Sequence, residues 1–142
     1  MAEQLSVFIQ NKPGKIASVT GMLAQAGIDL RALSIADTTD FGVLRMLVSD
    51  IGKAKTVLTN QNCVVSATDV TVVAVPDAPG GLATLLTLLD TAQVDIEYMY
   101  SLIGCVADKA YMVFRVSDEK ALHKVLNENG LATVSSAELG LR

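Results

Sequence analysis

The sequence predicts an α+β protein built from two similar halves, and three observations support this fold class. Residues 11–30 and 77–96 both carry Pro-Gly, then an apolar run, then a hydrophobic-Asp-hydrophobic step. Segments with alternating apolar residues flank segments whose apolar residues have helical spacing. Turn-forming residues separate these segments in the same order in both halves. These observations predict one domain at residues 1–68 and a second at residues 69–142.

The internal repeat has one small irregularity. Pro79 and Gly80 follow Pro13 and Gly14 at an offset of 66 residues, whereas the Ser-Asp pair at 49–50 recurs at 117–118, an offset of 68. A two-residue insertion between residues 31 and 49 accounts for the change. Two copies are too few for a solenoid, so we interpret the repeat as a pair of similar domains.

Each half has the order strand, helix, strand, strand, helix, strand. In the first half Leu5, Val7 and Ile9 alternate with other residues, as in a strand with one core face. The Pro-Gly turn should follow, with Pro13 in the first helical turn and Gly27 at the helix end. The next elements are strands 28–36 and 43–48, a helix capped by Ser49 or Asp50, and strand 63–67. The second half should repeat them as strand 70–75, helix 80–92, strands 95–102 and 110–116, helix 118–129 and strand 131–135.

This βαββαβ order is that of the ferredoxin-like sandwich, a four-stranded antiparallel sheet with both helices on one face. A half of this size buries only a modest fraction of its surface by itself. We therefore expect the two halves to pack together, through sheet edges that would otherwise be exposed.

Composition excludes several classes of protein. Half of the residues are apolar, which is sufficient for a core, and the formal net charge of −4 argues against binding to nucleic acid. The chain shows no apolar run long enough for a membrane span and no signal-peptide pattern at its start, so we expect a cytoplasmic protein without a membrane partner. Cys63 and Cys105 form no CxxC motif and are expected to be buried thiols.

Groups for catalysis are scarce. His123 is the only histidine, so neither a histidine-based metal cluster nor a catalytic triad is available within one chain. Lys15 follows Gly14, but the upstream glycine of a phosphate-binding loop is absent. We expect no enzyme activity, no metal and no cofactor. Tyr98 and Tyr100 should share one face of a strand, where they either line a pocket or, as we favour, cover a domain interface.

The Pro-Gly turn, the helix and the Gly-Ile-Asp-Leu type of step, seen twice at fixed spacing, resemble the ACT domain. The whole chain is similar to a free-standing tandem ACT protein. The resemblance implies a regulatory protein that binds an amino acid, as a homodimer or tight tandem pair, with a metabolic enzyme as a candidate partner. The alternative is a structural or protein-interaction module that binds no ligand.

The expected ligand site combines the turn with the step. A helix N-terminus presents unpaired N–H groups, and Gly14 and Gly80 would let a carboxylate approach the backbone. Asn11 matches an Asn of the serine-sensing ACT module of phosphoglycerate dehydrogenase, whereas Asp29 stands where that module has a second Asn. Either side chain would bind an ammonium group, or Asn11 and Asp77 merely brace the turns. The expected site residues are Asn11, Pro13, Gly14, Lys15, Ile28 and Asp29, and in the second half Asp77, Pro79, Gly80, Gly81, Val94 and Asp95.

Overall fold

The structure is a computed structural model that describes residues 1–10, 12–37, 41–104 and 107–142. Ten elements follow one another along the chain: β1 (Ala2–Gln10), α1 (Lys15–Gln25), β2 (Leu30–Asp37), β3 (Phe41–Val48), α2 (Ile51–Asn60), β4 (Val64–Pro76), α3 (Gly81–Thr91), β5 (Ile96–Ser101), β6 (Lys109–Val116) and α4 (Glu119–Glu128).

The chain divides into two compact units. The first unit comprises Ala2–Asp69 together with Ser136–Arg142, and the second comprises Met1 and Val70–Ser135. The segment Ser136–Arg142 therefore lies with the first unit, although the repeat places it at the end of the second half. Domains bounded at residues 68 and 69 remain a prediction.

Both units contain antiparallel strands, which confirms the predicted α+β class. The strand order is β2-β3-β1-β4 in the first unit and β4-β6-β5 in the second. β4 is one continuous strand where the sequence predicts two, because no glycine or proline interrupts it between residues 64 and 75. The strand predicted at 131–135 is reduced to a single bridge between Val73 and Thr133.

Each unit has its own hydrophobic core beneath its two helices. In β1 the residues Leu5 and Val7 are fully buried, as predicted. Gln4 and Ser6 are buried as well, so the prediction of a single core face is wrong for residues 4–7. Core residues of the first unit include Val19, Leu23, Ile28, Leu44, Met46 and Leu58. Those of the second unit include Val75, Leu85, Leu89, Val94, Phe114 and Leu126.

The second helix of each unit begins with an aspartate cap. The backbone N–H of Lys53 donates to Oδ1 of Asp50 at 3.0 Å, and that of Ala121 donates to Oδ1 of Asp118 at 3.0 Å. Of the two residues that the sequence offered as the cap of α2, the structure thus selects Asp50. These carboxylates accept from first-turn N–H groups, whereas no side chain of a described residue caps α1 or α3 in this way.

Candidate functional site

The two Pro-Gly turns have the same backbone conformation. Gly14 and Gly80 are the N-cap residues of α1 and α3, with φ of 84° and 87°. Because L-residues disfavour this left-handed region, each turn requires glycine at this place. Pro13 and Pro79 consequently precede the helix, which corrects the expectation that proline stands in the first helical turn.

Part of the predicted anion site is already engaged within the turn. The N–H of Lys15 donates to the carbonyl oxygen of Lys12 at 3.3 Å, and that of Gly81 to the carbonyl oxygen of Ala78 at 3.0 Å. The following N–H groups, of Ile16 and Ala17, belong to the first turn and have no intrahelical acceptor. No side chain caps α1 within the described residues, and Asn11 lies outside them.

The hydrophobic-Asp-hydrophobic step has the same backbone role in both units. Ile28 and Val94 are buried in the two cores, at 5% and 7% exposure, so a ligand does not reach their side chains. The carbonyl oxygen of Asp29 accepts from the N–H of Ser49 at 2.9 Å, and that of Asp95 from the N–H of Ser117 at 3.1 Å. The step therefore anchors the strand that follows α1 or α3 to the residue before the next helix cap.

The two aspartates of this step differ in their side-chain partners. Oδ2 of Asp29 lies 3.1 Å from Nη1 of Arg31. In the second unit Glu97 occupies the place of Arg31 and instead pairs with Nε of Arg115, at 3.3 Å. Asp29 is thus already ion-paired, whereas Asp95 has an acidic residue as its neighbour in the strand.

The structure does not bring the turn and the step of one unit together. Gly14 lies at the start of α1 and Asp29 after its end, and 11 helical residues span roughly 16 Å. Gly80 and Asp95 are separated in the same way by α3. A small zwitterion cannot contact both groups within one unit. Asp77 is exposed beside the second turn, where its N–H donates to the carbonyl oxygen of Asp108 at 2.8 Å.

A cavity of about 410 Å³ lies in the first unit beside the start of α1. We call it the first cavity. Phe41 and three segments line it. The segments are the end of β1 at residues 8–10, one face of α1 from Lys15 to Met22, and residues 61–64, where α2 leads into β4. Of the predicted site residues it includes Lys15.

A cavity of about 300 Å³ lies at the corresponding place of the second unit. We call it the second cavity. All of its lining residues are repeat equivalents of residues that line the first: Pro76 of Gln10, Gly81 of Lys15, Thr84 of Ser18, Leu85 of Val19, Leu88 of Met22, Asn129 of Gln61 and Leu131 of Cys63. The β-sheet register supports this equivalence, because Gln10 pairs with Phe41 as Pro76 pairs with Lys109. The repeated fold thus produces the same cavity twice.

The first cavity differs from the second in charge and in its rim. Lys15 is the only charged residue among those described in its lining, and the second cavity has Gly81 at the equivalent position. Phe8, Phe41 and Val64 line the first cavity while 47%, 59% and 66% exposed. Sequence reasoning missed these three residues. The signal that reveals them is the comparison of the halves, since their repeat equivalents are Ala74, Lys109 and Ala132.

Two other sequence-based expectations concern single side chains. The rings of Tyr98 and Tyr100 have centroids 6.5 Å apart and an interplanar angle of 23°, which confirms that they share a face of β5. Their predicted place at an interface stays a prediction. Cys63 is a free thiol that is half-buried and lines the first cavity, rather than fully buried, and Cys105 lies outside the described residues.

Within the described part of the chain, no three His, Cys, Asp or Glu side chains are grouped so as to hold a metal ion. Among the described residues, no helix has the length and apolar character needed to cross a membrane.

Comparisons with known proteins give a consistent result. A family model described as an ACT domain pair matches residues 1–141. A Bacteroides thetaiotaomicron protein of known crystal structure is 40% identical, with a TM-score of 0.89, covering 98% of this chain and 95% of that one. The ligand-free regulatory subunit of aspartate kinase from Thermus thermophilus is 15% identical, with a TM-score of 0.64, covering 89% of this chain and 91% of that one. The corresponding subunit from Thermus flavus is 16% identical, with a TM-score of 0.55, covering 87% and 92%. The comparison with curated proteins gave no match.

Proposed function

The chain belongs to the family of ACT domain pairs, and from this membership we propose that it is a regulatory protein that binds an amino acid. The observation that carries the proposal is the match to the paired family model over residues 1–141. The shared fold with two regulatory subunits of aspartate kinase supports a regulatory role. The protein would act in the cytoplasm on a metabolic enzyme, and it would bind its ligand without converting it.

The uncapped first turns of α1 and α3 support a role in binding a carboxylate. The first-turn N–H groups that have no intrahelical acceptor and the positive end of the helix dipole favour an anion. The ammonium group needs a separate partner, because Asp29 lies at the far end of α1 from Gly14. Asn11 or an Asp29 supplied by a second copy of the chain would meet this need, so we propose a homodimer as the binding form.

A second candidate is an interaction module that binds no small molecule. The observation in its favour is that the hydrophobic-Asp-hydrophobic step stabilises the fold of each unit through contacts that need no ligand. Ile28 and Val94 fill the cores, the aspartate carbonyl groups bind Ser49 and Ser117, and the Asp29 side chain pairs with Arg31. Under this reading the protein regulates a partner enzyme through a surface alone.

Thermal unfolding in the presence of each common amino acid separates the two candidates. A ligand that binds the folded state raises the melting temperature in a concentration-dependent manner. We expect one or a few amino acids to do so, with affinities of roughly millimolar to micromolar, about −4 to −8 kcal/mol. Chromatography of the incubated ligand should recover it unchanged. Flat melting temperatures across the whole panel would instead favour the interaction module.

A further inference from the structure

We propose that the first cavity binds a small carboxylate that carries a bulky apolar group, with one molecule bound per chain. The inference rests on the proposed function only in taking this carboxylate to be that of an amino acid. The cavity volume of about 410 Å³ falls in the range of small-molecule sites, roughly 300–1,000 Å³.

The rim of the cavity indicates the apolar part of the ligand. Phe8, Phe41 and Val64 are three of the seven large hydrophobic residues that are exposed in the described part of the chain. Single exposed apolar side chains are ordinary, but a cluster around one concave site indicates that something covers it. Val19 and Met22 extend this apolar surface into the cavity. A ligand with a branched or aromatic group would bury this surface.

The charge of the lining indicates the anionic part. Among the described lining residues Lys15 is the only one with a charged side chain. Lys15 forms no ion pair with another residue in the described part of the chain. The whole chain has a formal net charge of −4, so the positive charge of Lys15 is opposite in sign to the net charge of the protein. Ser18 and Asn62 add hydrogen-bonding groups to the lining, as a site for a carboxylate requires.

The second cavity lacks the lysine and the three exposed apolar residues of the first, which gives one site per chain. Gly81 replaces the lysine, and Ala74, Lys109 and Ala132 stand at the positions of the three exposed apolar residues. Its volume is also smaller, about 300 Å³. The described lining of the second cavity therefore has no lysine at the start of α3 and no cluster of large, exposed apolar side chains.

Titration calorimetry on the full chain tests ligand class and stoichiometry. The probes are L-phenylalanine, L-leucine, 3-phenylpropionate, L-phenylalaninamide and L-serine. We expect L-phenylalanine or L-leucine to bind with one molecule per chain. L-Phenylalaninamide, which lacks the carboxylate, should bind about tenfold more weakly than L-phenylalanine, and L-serine should bind weakest because it leaves the apolar rim exposed.

Protection of Cys63 tests the location. In a Cys105→Ser variant, Cys63 is the single thiol of the chain, and it lines the first cavity. Saturating L-phenylalanine or L-leucine should slow its alkylation by iodoacetamide severalfold, whereas L-serine should leave the rate unchanged. Binding without any protection of Cys63 would overturn the location.

Two substitutions with matched controls test the residues. Lys15→Gln should weaken binding about tenfold, while Lys120→Gln, with the same charge change on α4, should leave it unchanged. Phe41→Ser should weaken binding by a similar factor, while Lys109→Ser at the repeat-equivalent position should have no effect. Circular dichroism verifies that each variant is folded. Full affinity in both Lys15→Gln and Phe41→Ser would overturn the proposal.

The outcomes also separate this inference from the proposed function. Tight binding of a polar amino acid with Cys63 unprotected would overturn the inference and leave the function. Binding of 3-phenylpropionate at Cys63, with no amino acid bound, would support the cavity and overturn the amino-acid function. Two molecules per chain would overturn the single site, and an absence of binding by every probe and every amino acid would overturn both.

Discussion

Oδ2 of Asp29 lies 3.1 Å from Nη1 of Arg31, in an ion pair whose side chains are 65% and 43% exposed. Such exposed pairs contribute little, because water screens the charges and two side chains must be ordered. Asp29→Asn should therefore lower the free energy of unfolding by about 0–1 kcal/mol, measured by urea denaturation. Asp95→Asn is the control, since Glu97 stands where the arginine would be, and it should lower stability less. A loss of several kcal/mol for Asp29→Asn would mean that the carboxylate has a further structural role.

Gly14 tests the backbone of the first turn. With φ of 84° and no atom within 4 Å of an added Cβ, Gly14→Ala meets strain but no steric overlap. We expect a loss of about 1–2 kcal/mol in the free energy of unfolding. Gly21→Ala in the middle of α1 also meets open space, but without a positive φ, and should stabilise by about 0.5–1 kcal/mol. Valine at position 14, a natural choice for blocking a ligand, would disturb the turn itself because φ is positive.

Gly81 tests the close approach of α3 to the end of β4. A Cβ at this position would overlap the carbonyl oxygen of Pro76, which is backbone and cannot rotate away. Gly81→Ala should destabilise the chain by about 1–3 kcal/mol. Lys15→Ala at the equivalent place of the first unit should change stability by no more than about 0.5 kcal/mol. Equal effects of the two substitutions in urea denaturation would contradict this prediction.

The aspartate caps of α2 and α4 give a fourth prediction. Asp50→Ala and Asp118→Ala each remove an acceptor from a first-turn N–H and should cost about 1 kcal/mol of unfolding free energy. Asp50→Ser keeps an acceptor and should recover most of the loss. Denaturation followed by far-ultraviolet circular dichroism measures all three variants. Serine and alanine variants of equal stability would show that the cap hydrogen bond contributes nothing.

Local sequence patterns predicted most helices and strands correctly, because each pattern depends on residues that are close together in the chain. The backbone conformation of a short segment is indicated by the two-residue spacing of Leu5 and Val7, by the helical spacing of Val19 and Leu23, and by the Ser-Asp pairs before α2 and α4. The same reasoning could not choose the sign of φ at Gly14, since glycine populates both regions equally. It also could not foresee that strand 131–135 is reduced to a bridge at Thr133, which depends on pairing with a distant strand.

The candidate site was harder to predict for the same reason. The Pro-Gly turn and the aspartate step are near one another in sequence, but a helix placed between them sets them roughly 16 Å apart. The first cavity arises instead where residues 8–10, Lys15–Met22, Phe41 and residues 61–64 meet. Single-sequence patterns carry no information on that meeting. A comparison of the two halves would have shown that Phe8, Phe41 and Val64 differ in residue type from their repeat equivalents. It would not have shown that the three residues line one cavity.

The segment Ser136–Arg142 has a consequence for how the chain is made. It belongs to the first unit, where Leu139 is buried, Gly140 lies against the guanidinium of Arg31, and the N–H of Arg142 donates to the carbonyl oxygen of Ser49 at 3.0 Å. During synthesis residues 2–69 leave the ribosome long before this segment exists. The unit that is translated first is therefore completed last, and a cut of the gene at the repeat boundary would separate it from residues 136–142.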